Sequence, residues 1–137
     1  MDILHPMLGM IALSGLLIVI LLASRFPPII KYWGDLQFAE HSEDLRPQLP
    51  RPLRLITENY NHIFEQPTLF FATCAYIHMA SQTDPLNVGL AWAYVALRML
   101  HTITQLTVNN VTLRASLFAT SSACLVAIVI IEVLKLV

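Results

Sequence analysis

Residues 57–71, TENYNHIFEQPTLFF, decide how this chain must fold. The stretch opens polar, with Glu58, Asn59, Asn61, His62 and Glu65 on successive turns, and then runs through Pro67 into an unbroken apolar segment. That is the pattern of a membrane helix whose polar end comes first. At about 1.5 Å per residue, a helix begun at Thr57 carries Glu65 about 12 Å along its axis. A carboxylate at that depth is still within the hydrocarbon, where ionisable groups face the bundle interior and pair with one another. Glu65 therefore needs a partner elsewhere in the chain.

Composition points the same way. Of 137 residues, 56% are hydrophobic and 12% charged, against about 25% charged in ordinary soluble domains, which implies one integral membrane domain. A net charge of −1 with eight Lys and Arg argues against nucleic acid, whose binding needs a basic surface to displace counterions. Cys74 and Cys124 both fall in apolar runs, where cysteine acts as a small buried side chain. No basic region precedes the first apolar run and no small-residue cleavage site follows it, so the first helix is expected to be retained.

Four apolar stretches, giving helices at about 3–24, 58–81, 86–108 and 112–136, each approach the ~20 residues that span a bilayer. The expected fold is an all-α, four-transmembrane-helix bundle with a polar loop over 25–57. That loop holds five of the eight prolines and five of the eight basic residues, Arg25, Lys31, Arg46, Arg51 and Arg54. The positive-inside rule places it in the cytoplasm and both termini on the opposite side. Its aromatics Phe26, Tyr32, Trp33 and Phe38 suit the headgroup layer. Glu132 and Lys135 read as an interfacial i,i+3 pair, and His5 and His78 as interfacial residues without chemistry.

The third helix carries Arg98, His101, Thr102 and Gln105 at spacings of three and four, which gathers them on one face. Arg98 lies about 16 Å from residue 109 along the axis, near the middle of the bilayer. Left alone there, it would cost at least ~2.5 to 3.5 kcal/mol. Glu65 lies at a similar depth, so a Glu65–Arg98 pair is predicted, direct or through one water. Pro67 cannot donate to the carbonyl of Ile63 and should bend the second helix just beyond Glu65.

In the fourth helix Thr112 is the expected N-cap. Arg114 follows in the first turn, where its guanidinium and the free backbone N–H groups together favour an anion. Ala115, Ala119, Ala123 and Ala127 repeat every fourth residue, a small-residue seam that permits close helix approach. Glu58, His62 and Glu65 share a helical face, but no second cluster faces them, and no metal site is assigned.

With NYNHIFEQPTLFF in helix two, and RMLHTITQ followed by LRASLF, the chain resembles the MAPEG family, membrane-associated proteins in eicosanoid and glutathione metabolism, over nearly its whole length. The resemblance implies a homotrimer of four-helix subunits, with glutathione bound between neighbours near the cytoplasmic face. It matches Glu65 to the family's helix-two carboxylate, Arg98 to its paired arginine and His101 to the histidine one turn later. Arg114 matches the arginine associated with the glutathione thiolate, and so becomes the candidate catalytic residue. Glu65, Arg98, His101, His62 and Gln105 then belong to a glutathione or ligand pocket. Against the pattern, Glu58 and Asn61 stand where arginines usually meet glutathione, His62 replaces an asparagine, Gln105 replaces a tyrosine, and Ala115 and Phe118 lack hydroxyls. A carboxylate such as Glu58 repels a glutathione carboxylate, so weak binding or none is expected. Three functions remain open: a glutathione-dependent transferase or peroxidase acting on a lipophilic substrate, a binder of another lipid-phase ligand, or a non-catalytic subunit of a larger membrane complex.

Overall fold

The computed structural model describes residues 2–33 and 49–136, apart from the side chains of residues 25, 26, 28–33 and 61–64. The described residues form helices α1 (Leu4–Trp33), α2 (Arg51–Glu65), α3 (Pro67–Met79), α4 (Pro85–Leu106) and α5 (Val111–Leu134), with no strand among them. Two segments, Leu4–Ser24 within α1 and Val111–Leu134, are long and apolar enough to cross a membrane.

The helix limits correct several expectations. The first helix does not stop near residue 24 but winds on to Trp33, through Pro27 and Pro28. Proline removes a donor yet keeps a helical φ, so the pair costs hydrogen bonds without barring the helix. The expected second helix is two. Its polar half starts at Arg51, with Pro52 in the first turn, where the missing N–H is an orphan in any case. It ends at Glu65, and α3 resumes at Pro67 after Gln66. At this break the Thr68 hydroxyl donates to the Glu65 carbonyl at 2.9 Å, while Gln66 Nε2 donates to Ser122 Oγ on α5 at 2.5 Å. Residues 34–48 of the expected loop, with Phe38 and Arg46, lie outside the described residues, as do the side chains of Arg25, Phe26, Lys31, Tyr32 and Trp33.

The core forms where one face of each long helix turns inward. Ile3, beside the start of α1, and Met10, Leu13 and Leu17 within it meet Phe70, Cys74 and Ile77 of α3, Val88, Ala91, Tyr94 and Val95 of α4, and Leu125 and Ile128 of α5. Phe70 and Tyr94 stack with ring centroids 4.5 Å apart. Gly9 lets α1 approach α4, since a β-carbon there would sit 3.3 Å from the Trp92 ring. The alanine seam of α5 takes little part, because Ala115, Ala119 and Ala123 remain exposed.

A polar network joins the start of α4 to the end of α5. Asp84 caps α4 by accepting from the Asn87 backbone N–H at 2.8 Å. Asn87 Nδ2 also donates to Asp84 Oδ2 at 3.0 Å and to Glu132 Oε1 at 2.6 Å. Lys135 Nζ reaches Asp84 and Glu132, each at 2.6 Å. The expected i,i+3 pair is therefore present, and Glu132 is buried besides, only 4% exposed. Hydrogen bonds from Lys135 and from the Asn87 backbone N–H hold the Asp84 carboxyl below the usual aspartate range. Bonds to Asp84 and then Glu132 raise the Lys135 ammonium in turn.

Candidate ligand pocket

The turn between α4 and α5 builds the opposite end of the bundle. Asn109 adopts a left-handed conformation with φ of 50°, which asparagine tolerates better than most residues. Its N–H closes α4 on the Thr104 carbonyl at 2.7 Å. Asn110 then caps α5, its Oδ1 accepting from the Leu113 N–H at 3.1 Å. Asn110, and not the expected Thr112, is thus the N-cap, because α5 begins at Val111. Starting there places Arg114 in the first turn, and Arg114 Nη1 donates to Asn109 Oδ1 at 2.5 Å.

Beside this turn lies a cavity of about 310 Å³, lined by Glu65, His101, Val111, Arg114, Ala115 and Phe118. Each polar member arrives by its own route. Glu65 ends α2 at the helix break and is exposed. His101 lies on the buried face of α4, its ring 6.4 Å from that of Phe118. Arg114 is half-buried, and its Nε is buried with no hydrogen-bond partner. Glu65 and His101 have interactions of their own beyond these.

Arg98 lies behind the pocket. Its guanidinium carbon sits 5.0 Å from the Phe118 ring centroid and 5.4 Å from that of Tyr94, within cation–π range. The ion pairs among the described residues are Asp2–His78, Lys135–Asp84 and Lys135–Glu132, so the direct form of the predicted Glu65–Arg98 pair is not made. The two rings flank the guanidinium, while Glu65 lies exposed at the break between α2 and α3. Nε and Nη2 of Arg98 are consequently buried without partners.

Gln105 is fully buried and tied to α2, its Oε1 accepting from Asn59 Nδ2 at 3.0 Å. It braces the wall and does not line the cavity among the described residues. Glu58 is half-buried on α2. The side chains of Asn61 and His62 lie outside the described residues. Of the residues singled out from sequence, the fold thus brings Glu65, His101 and Arg114 to one cavity and leaves Arg98 and Gln105 in the layer behind.

Phe118, noted in the sequence only for its missing hydroxyl, and Asn109 were missed as structural parts of this site. Phe118 lies four residues after Arg114 and so on the same helical face, and the Asn109–Asn110 pair between two helices is a recognisable stop-and-cap signal. Chemically, the start of α5 offers positive charge at a helix N-terminus against the apolar walls of Val111, Ala115 and Phe118. Such a site can hold an anionic head beside a lipophilic body.

Compared with known families, residues 3–134 match the model described as the MAPEG family. No match was found among curated proteins or among solved structures.

Proposed function

Since this chain belongs to the MAPEG family, we propose that it is a single-domain, four-span membrane protein whose pocket at the start of α5 holds a thiolate against a lipophilic electrophile, as in a glutathione-dependent transferase or peroxidase. In this reading α2 and α3 form one broken span, the connection between α1 and α2 is cytoplasmic and both termini lie opposite. Three subunits assemble through small-residue seams, in keeping with the exposure of Ala115, Ala119 and Ala123 on α5 and of Gly89 and Ala96 on α4.

The observation that carries the proposal is the convergence of Glu65, His101 and Arg114 on one apolar-walled cavity. Arg114 and the α5 N-terminus favour the thiolate over the thiol, and the thiolate is the nucleophile. His101 and Glu65 then position the rest of the ligand. Isothermal titration with glutathione, together with a thiolate absorbance scan on the wild type and on Arg114→Ala, tests this. An Arg114-dependent thiolate signal supports the transferase reading, and its absence at millimolar thiol removes it.

A second reading is favoured by the state of the grip. Gln105 is held by Asn59, Arg114 is partly held by Asn109, and Glu58 replaces a guanidinium. A binder of another lipid-phase ligand with an anionic head needs less of that grip than a tripeptide does. Such a ligand would co-purify with the protein and be lost from Arg114→Ala. Stoichiometric co-purification of other proteins would point instead to an accessory subunit.

A further inference from the structure

A second cavity, also of about 310 Å³, lies toward the other end of the bundle, in the groove between α3 and α5. Its size falls at the lower edge of ligand pockets, about 300 to 1,000 Å³. Ala72, Thr73 and Tyr76 supply the α3 wall, and Val129, Glu132 and Val133 most of the α5 wall. The Thr73 hydroxyl is already donated to the Leu69 carbonyl at 2.8 Å. Glu132 is the one charged residue in the wall.

The two oxygens of Glu132 are treated differently. Oε1 accepts from Asn87 and Lys135, both at 2.6 Å. Oε2 is buried and has no hydrogen-bond partner. A buried acceptor without a donor is rare enough to require a cause. The surrounding charges favour a cation as that cause, since the carboxylates of Asp84 and Glu132 face the single ammonium of Lys135. Asp2 and His78 are paired with each other at 3.4 Å.

We propose that this groove binds a single-chain lipophile with an ammonium head. The head donates to Glu132 Oε2, and the tail lies along the apolar walls of Ala72, Val129 and Val133. A hydroxyl head could donate too, but it would leave the excess carboxylate unbalanced, whereas a carboxylate head would add to it.

The test uses the full chain in phosphatidylcholine nanodiscs, titrated with decylammonium and with decanol, with native mass spectrometry and calorimetry as readouts. The expected result is decylammonium binding at least about tenfold tighter than decanol, equivalent to ~1.4 kcal/mol. Glu132→Gln should abolish that preference, and Ala72→Trp, which fills the groove from a residue that is no member of the Glu132 hydrogen-bond network, should abolish binding of both. Equal binding of the two amphiphiles overturns the proposal, as does a preference that survives Ala72→Trp. Failure of decylammonium to bind, for instance because a second copy of the chain covers the groove, overturns it as well. Should Glu132→Gln fail to fold, the Ala72→Trp comparison decides alone. Glutathione binding at the opposite end is unaffected by any of these outcomes, so the two proposals fail separately.

Discussion

At one end of the bundle Asp84, Asn87, Glu132 and Lys135 bind one another across two helices, while at the other end Arg98 and Arg114 are held mainly by rings and by a single asparagine. The atoms left over on charged groups are of opposite kind. At the α4–α5 turn end they are donors, Nε and Nη2 of Arg98 and Nε of Arg114, and at the far end an acceptor, Oε2 of Glu132. A closed network rigidifies the fold, whereas an unpaired buried donor or acceptor costs stability and leaves capacity for a ligand. The α4–α5 turn end is thus suited to an anion, and the Glu132 end chiefly to holding α4 against α5.

The largest effect should follow from opening the closed network. Asn87→Leu removes charge-assisted bonds to Asp84 and Glu132, each worth about 1.5 to 3 kcal/mol, and leaves Glu132 buried with Lys135 alone. A loss near 3 kcal/mol or more is expected in denaturant unfolding in mild detergent. A change within about 1 kcal/mol would mean that this end is no more a clamp than the other.

At the pocket end the effect should appear in binding and not in folding. Arg114→Ala should weaken an anionic ligand by about 1.5 to 3 kcal/mol, roughly 10- to 150-fold, by titration, with a near-normal unfolding midpoint. Asn109→Gly sharpens this point, because glycine keeps the left-handed turn while releasing Arg114. Binding should hold or improve in Asn109→Gly, whereas Asn109→Ala strains the turn and should lower stability.

Much of this was legible in the sequence, for physical reasons that differ from place to place. The all-helical membrane class and the family follow from apolar runs and residue spacing, and the break at Gln66 from Pro67, whose effect is local. Glu65, His101 and Arg114 could be singled out because polar groups within apolar helices are conspicuous. The start of α2 at Arg51 and the run of α1 through Pro27 and Pro28 were hidden by prolines that read as loop. The burial of Glu132 depends on Asn87, which lies 45 residues away, and i,i+3 spacing to Lys135 cannot reveal it. The rings beside Arg98 were not legible, because depth along a helix says nothing of the aromatic side chains that pack against it.

Arg98 gives the next smaller effect. Arg98→Leu loses cation–π contacts worth about 0.5 to 2 kcal/mol but no longer buries unpaired donors, and the two changes offset each other. Stability should therefore move by no more than about 1 kcal/mol, measured as for Asn87→Leu. A loss of about 3 to 5 kcal/mol, as when a buried ion pair is broken, would restore the pairing with Glu65 through a water.

The smallest effect concerns pH at the far end. Because the folded Asp84 carboxyl titrates below the ordinary aspartate range, its contribution is present above the unfolded pKa and is lost as pH falls through the lower folded one. Lys135 works in the opposite sense. Its folded ammonium titrates above the ordinary lysine range, so its contribution is present below the unfolded pKa and fades as pH rises through the folded one. Both groups are a third exposed at the side chain, and solvent screens such pairs, so the drop should be shallow in acid and again in strong base. Asp84→Asn separates charge from capping, since asparagine caps a helix about as well as aspartate. The variant should match the wild type in its acid limb below the aspartate range and lie below it near neutral pH. Parallel melting curves for the two proteins across the whole range would show that Lys135 draws its hold from Glu132 and not from Asp84.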